Sequence, residues 1–422
     1  MNCPNPALRT SLLDVLGCQD VDGTTCSPYL DYIEASWPGR GMKDDYIRFV
    51  IEVVTAFGNA PYPSVQEYIN GLIAVSGHYF FDDTLPNSPS RATAVKDIVL
   101  IILGVWLLME PYTTPARNDQ RCILEAYCVR QKTHYSEDTT LCNHLPDLVA
   151  KSGLLPNPQE VTLSNSSLSL ADTTPRPETS HHLHAYFGMQ ESLSITPKRL
   201  NAVKLSTLGG VKFTWTNNIS RHLLLTRHAG ERHTLELFAL PCALQGGNNN
   251  ALINTGIISA ELVDEIEASY AVLFNPVKAS YLHRTIGRWA LGLRYWCWCL
   301  DCSSHQLRKT TLEALKRRQN RTNRAGQYDP RLETLLEGGH AAEWQSEWDQ
   351  TEFKSLWPRI LALDAHLEGS KPWSFWVIFR DRRDTLQYWT FLFGSIILIL
   401  TVVQVILGAA QVAGSFAPVA GD

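Results

Sequence analysis

This sequence has little excess charge of either sign: 37 Lys plus Arg stand against 42 Asp plus Glu in 422 residues, a formal balance of -5. No global attraction to nucleic acid follows from that balance. Nor is the chain short of apolar residues, which form 45% of it and exclude a disordered or collagen-like polymer. The Walker A loop, GxGxxG, GxSxG and HExxH are all missing, so no phosphate-cradling turn, nucleophile elbow or zinc-protease helix is announced. The opening MNCPNPALRTSLLDVLG lacks a basic start followed by an apolar run, and no secretory signal is expected.

The strongest feature is another absence. Residues 385–421 contain no Asp, Glu, Lys or Arg, and their apolar centre is long enough, at about 1.5 Å per residue, to cross a hydrocarbon layer of roughly 30 Å. A transmembrane helix is therefore predicted over 386–413. Lys371, Arg380, Arg382 and Arg383 precede it and no basic residue follows. Basic flanks stay cytoplasmic, so the bulk of the chain is expected in the cytosol, anchored by its tail to the endoplasmic reticulum or another organelle membrane, with 414–422 luminal. Trp373, Trp376 and Arg380 recur at helical spacing just before the span and, with Arg382 and Arg383, form the expected membrane-interface set, in contact with lipid. Within the span Gln404, Gly408 and Gln411 share one face, which makes a homodimer through the helix a hypothesis.

The ten Cys follow no disulfide spacing, and in a cytosolic domain most are expected to be reduced. The run holding Cys297, Cys299, Cys302 and His305 is the one candidate metal set, with zinc as the ion. Its first two Cys stand two residues apart, on opposite sides of a helix, which favours plain packing over zinc; palmitoylation is a further alternative. No other cofactor is expected. His228 and His233 flank a turn and read as solvated residues, with a shared metal as the minor alternative.

The rest predicts a mainly α protein with a small antiparallel β unit (α+β). Residues 1–150 read as a helical domain: 44–57 and 64–75 have the 3.6-residue period, and 98–109, IVLIILGVWLLM, is too short to span and reads as a core helix. Residues 151–182 are Ser, Thr, Pro and Asn rich and read as a linker. In 183–383 a helix opened by Thr196 and Pro197 is followed by alternating strand patterns at 211–216, 222–226 and 234–240, an order like that of a winged helix. Helices resume at 259–273. Between 278 and 331 the local balance is +9, and between 332 and 368 it is -6. The basic core, Arg308, Lys309, Lys316, Arg317, Arg318 and Arg321, suits an anionic lipid surface or the neighbouring acidic stretch. No aromatic residue lies between Arg308 and Arg324 to stack a base, so no nucleic acid is expected as a partner.

The motif FRDRRDTLQYWTF at 379–391 resembles the ending of a group of uncharacterised filamentous-fungal single-span membrane proteins, F-R-D-R-R-D-x-x-Q-[WY]-[WY]-T-F. GVKFTWT at 210–216, LELFALP at 235–241 and YDPRL at 328–332 are similar to segments of the same group. The resemblance implies a fungal origin and a membrane address, and carries no catalytic residue across. The function expected from the residues is a cytosol-facing scaffold or adaptor that binds proteins at a membrane, using Trp215, the basic region and the helical N-terminal part. The alternative is a membrane-tethered enzyme acting on a lipophilic small molecule.

Overall fold

The computed structural model of the chain describes residues 5–18, 25–39, 42–59, 63–75, 78–81, 89–113, 144–157, 194–227, 232–274, 300–322, 328–337, 347–370 and 385–416. Helix dominates, with small sheets of two and three strands.

The N-terminal part is helix upon helix. In α1 (Pro6–Leu16) the Asn5 side chain accepts from the Ala7 amide at 3.0 Å and Pro6 supplies a preset φ, so the first turn loses no hydrogen bond. Next come α2 (Ser27–Ala35), α3 (Lys43–Gly58) and α4 (Val65–Ala74). The stripe of α3 that the period predicts is the buried one, with Ile47, Val50 and Val54 at 2% exposure or less. Ser64 and Glu67 close a capping box on α4. The apolar run 98–109 belongs to α5 (Pro89–Trp106) and the turn after it; Leu100, Leu103, Trp106 and Met109 are buried, so it is a core element as predicted. Short helices α6 (Glu110–Thr113) and α7 (Leu145–Ser152) follow.

The second part opens differently from its pattern. Thr196 and Pro197 form a turn whose carbonyls at Pro197 and Lys198 bind the Asn201 amide, and it is Asn201 that caps α8 (Ala202–Thr207) by accepting from Lys204 N at 2.9 Å. Three strands come next: β2 (Lys212–Thr216), β3 (Leu224–Thr226) and β4 (Thr234–Phe238), where β1 (Ser194–Ile195) pairs with the distant β5 (Trp348–Asp349). The order is β2-β4-β3, with β3 antiparallel and β2 parallel to β4. This corrects the winged-helix order and the wholly antiparallel sheet. The link from β2 to β3 is no hairpin: Asn218 caps a 3-10 turn at Ile219–Arg221, Ile219 is fully buried, and its amide donates to Leu108 O at 3.0 Å. That anchor draws the chain off the sheet edge and returns it on the far side of β4.

Four further helices, α9 (Ala251–Asn254), α10 (Ala260–Phe274), α11 (Leu300–Thr322) and α12 (Arg331–Glu337), precede α13 (Trp357–Gly369). Tyr270 of α10 donates to Phe238 O, and Trp348 Nε1 donates to Leu200 O at 3.0 Å. Buried Glu265 receives the amides of Ser355 and Leu356 at 2.9 and 2.8 Å, giving α13 its N-terminal cap from another helix. One hydrophobic core runs from Leu12 to Leu367 through both parts. Its tightest joint is backbone on backbone: a Cβ built on Gly17, at φ +75°, would stand 1.7 Å from Asn249 O. Leu108 itself adopts φ 56°, a left-handed conformation that costs a non-glycine residue about 1 kcal/mol or more and is held here by burial and the Ile219 bond. Last comes α14 (Thr385–Phe416), in which Leu392–Ala413 is long and apolar enough to cross a membrane.

Candidate functional site

Two buried groups look chemical and are committed to the fold. His222 Nδ1 accepts the Phe238 amide at 3.2 Å, so the ring proton sits on Nε2, which donates to Ser269 Oγ at 2.7 Å. Ser269 in turn donates to Ile266 O at 2.7 Å. The pair runs in the wrong direction for a nucleophile: a base would have to receive the serine proton on the nitrogen that already carries one. Burial, with the Arg359 guanidinium beside it, pushes His222 down to about 3 and keeps it neutral.

Cys18, Cys26 and Cys242 gather at the joint between the two parts. Cys26 Sγ lies 3.6 Å from Cys242 O, and Asp329 accepts the Cys242 amide at 2.6 Å. A hydrogen bond with Cys26 and then burial push the Cys18 thiol up, and burial pushes Cys242 up. Cys18 and Cys242 are thus protonated, packed thiols, while the hydrogen bond with Cys18 draws the Cys26 thiol down. Among the described residues no group of three or more His, Cys, Asp or Glu is arranged to hold a metal ion. Of the candidate zinc set, Cys302 is buried on α11 and His305 stands one turn on, whereas Cys297 and Cys299 lie outside the described residues.

The basic set of α11 is partly spent on nearby acids. Lys316 meets Glu333 at 2.5 Å and lies 4.6 Å above the Tyr328 ring, Arg317 and Lys309 reach Glu313 at 3.4 and 3.9 Å, and Arg308 donates to Leu336 O at 3.3 Å. Arg318 and Arg321 are on the same helix. The expected binding residue Trp215 is 8% exposed and donates its indole N–H to Thr311 O, so it holds α11 to the sheet and offers no surface. The interface set Trp373, Trp376, Arg380, Arg382 and Arg383 falls outside the described residues, while Gln404, Gly408 and Gln411 are exposed along α14.

A second arrangement of charge lines an open cleft. A cleft of about 520 Å³ is lined by Gly209 and Gly210 after α8, Arg227, Arg232 and His233 around the β3–β4 connection, and His366, Gly369 and Ser370 at the end of α13. His366 Nε2 donates to Gly209 O at 3.0 Å, which leaves Nδ1 as the ring's other nitrogen, and the rings of His233 and His366 stand 4.3 Å apart. Burial, His366 and Arg227 hold His233 below its ordinary range, the effect expected where positive groups converge. Gly369 has open space where a side chain would stand, which exposes peptide groups on the cleft wall. The arrangement can bind an anion; it holds no paired acid, base and nucleophile. A smaller groove of about 200 Å³ between α8 and α11, lined by Ser206, Ser303, Gln306 and Thr310, carries no ionisable group.

Sequence reading placed His233 at a hairpin tip and passed over His366. The one local hint was the pairing of Gly with a basic or imidazole neighbour at 209–212 and 366–371. No family model, curated protein or solved structure matches this chain.

Proposed function

We propose that this protein is a membrane-anchored adaptor. Its span is α14, its folded part faces the cytosol from an organelle membrane, and its cleft receives an acidic segment of a partner protein. The observation that carries the reading is the cleft: two Arg and two His line one opening, with glycine main chain beside them, at the end of α13, the last described helix before α14. The charges suit a carboxylate-rich ligand and the bare peptide groups suit an extended main chain. Support for binding over catalysis comes from the interior, where the imidazole and the thiols are bound into the fold. The basic residues before the span support the orientation.

The test is direct. Full-length protein in lipid nanodiscs is titrated with a fluorescent glutamate-rich peptide, followed by anisotropy, beside the double variant Arg227→Glu, Arg232→Glu. Saturable binding weakened at least tenfold in the variant is expected. Equal binding by both proteins, or none by the parent, removes the cleft from the reading. The orientation has its own check: Asn165, Asn218 and Asn320, which open the Asn-x-Ser/Thr acceptor sequences NSS, NIS and NRT, should stay unglycosylated while an acceptor placed after residue 413 is modified.

A further inference from the structure

The polar residues of α14 are not scattered. Within Leu392–Ala413, Gly394, Thr401 and Gly408 recur every seven residues, and Ile397, Gln404 and Gln411 fill the positions three further on. Of the other sixteen residues of the span only Ser395 is polar. A repeat of seven, with two positions facing inward, is the seam of a left-handed helix pair, and its mean spacing of about 3.5 residues fits a crossing near +20°. The aromatic residues Trp389 and Phe393, whose rings stand 5.8 Å apart, lie off this seam, where lipid would meet them.

The amides, more than the glycines, call for a partner. Thr401 returns its hydroxyl to Ile397 O at 2.8 Å, which satisfies it within its own helix. Gln404 and Gln411 are exposed, and among the described residues neither amide has a bond like that of Thr401. In hydrocarbon a primary amide has no water to replace the missing partner. It carries both a donor and an acceptor, so it pairs with its own copy when two identical helices run parallel in register. A parallel pair is also the only one in which both copies keep their basic flanks on one side of the membrane.

We infer that a second copy of this chain occupies the seam, forming a parallel homodimer in which Gln404 and Gln411 each meet their own counterpart and Gly408 lets the backbones approach. The inference rests on α14 crossing a bilayer and deepens that part of the proposed function.

The experiment uses full-length chains fused to donor and acceptor fluorescent proteins, reconstituted in phosphatidylcholine vesicles over a range of lipid dilutions. Energy transfer that falls with dilution is expected, and Gln404→Leu with Gln411→Leu should weaken association about tenfold, the sum of two to four amide bonds at their average value in membranes. The off-seam pair Ser395→Leu with Ala410→Leu should leave it unchanged. A parent that is monomeric at every dilution, a glutamine variant that associates like the parent, or an equal loss in the off-seam pair would each overturn the dimer. Carbonate extraction separates the two claims: protein stripped from the vesicles defeats the span itself, and protein retained but monomeric defeats only the pairing.

Discussion

The joint between the two parts of the fold and the cleft at the end of α13 hold similar side chains in opposite circumstances. In the joint Cys242 and Asp329, and within the second part His222 and Ser269, are buried and bonded to neighbours or to the chain. In the cleft His233, His366, Arg227 and Arg232 line open space, and burial, with His366 and Arg227 beside it, holds His233 low. The difference teaches that residue type does not mark a site. What marks it is whether the groups face open space. The first group is catalytic in type and buried in the fold; the second is ordinary in type and lines an open cleft.

Two changes in the interior, one at the joint and one within the second part, would test how much of the fold depends on them. Gly17→Ala is the most severe, because the new Cβ would stand 1.7 Å from a main-chain oxygen at a φ of +75°. Thermal unfolding should show a loss of about 4 kcal/mol or more, against a gain of about 0.5 to 1 kcal/mol for Gly71→Ala, which sits inside α4 with open space around it. A mild effect at Gly17 would mean that the two parts are not locked together there. His222 gives the next largest effect. It stays neutral in the fold down to about 3, whereas in the unfolded chain it gains a proton near 6.5. Between those values the unfolded state binds more protons, so stability falls on acidification by about 1.4 kcal/mol per pH unit from this group, or about 3 kcal/mol by pH 4. Buried Asp329 and Glu267, whose values are raised by burial, act in the opposite sense, so the measurement is the difference between parent and His222→Gln in urea unfolding at pH 7 and pH 4. Parallel slopes would remove the buried imidazole from the account.

Much of the architecture was legible where one segment decides its own fate. The period of α3, the apolar run of α5 and the uncharged stretch of α14 are local signals, and each led to the right element. The direction of β2 was not legible, because it is set by Ile219 entering a core built more than a hundred residues earlier. The start of α8 was misread for a subtler reason: Thr196 and Pro197 carry the usual signal, but Asn201 satisfies both the preceding turn and the following helix. The cleft was the least legible, since His233 and His366 meet only through the packing of α13 on the sheet half.

The gentlest predictions set the surface of α11 against the cleft. Lys316 and Glu333 are both nearly half exposed, at 48% and 45% of their side-chain surface, and such pairs contribute between zero and about 1 kcal/mol. Lys316→Ala should therefore shift urea unfolding by less than about 1 kcal/mol and leave acidic-peptide binding unchanged, since its charge is already answered by Glu333. His233 should respond where Lys316 does not. Burial, with His366 and Arg227 beside it, holds its ring below the ordinary range, and a bound carboxylate should raise its titration midpoint, read from the imidazole proton resonances with and without the glutamate-rich peptide. An unmoved midpoint beside measurable binding would shift the anion site away from the cleft and toward the residual charge of α11, and the contrast between buried groups and the open cleft would then have to be redrawn.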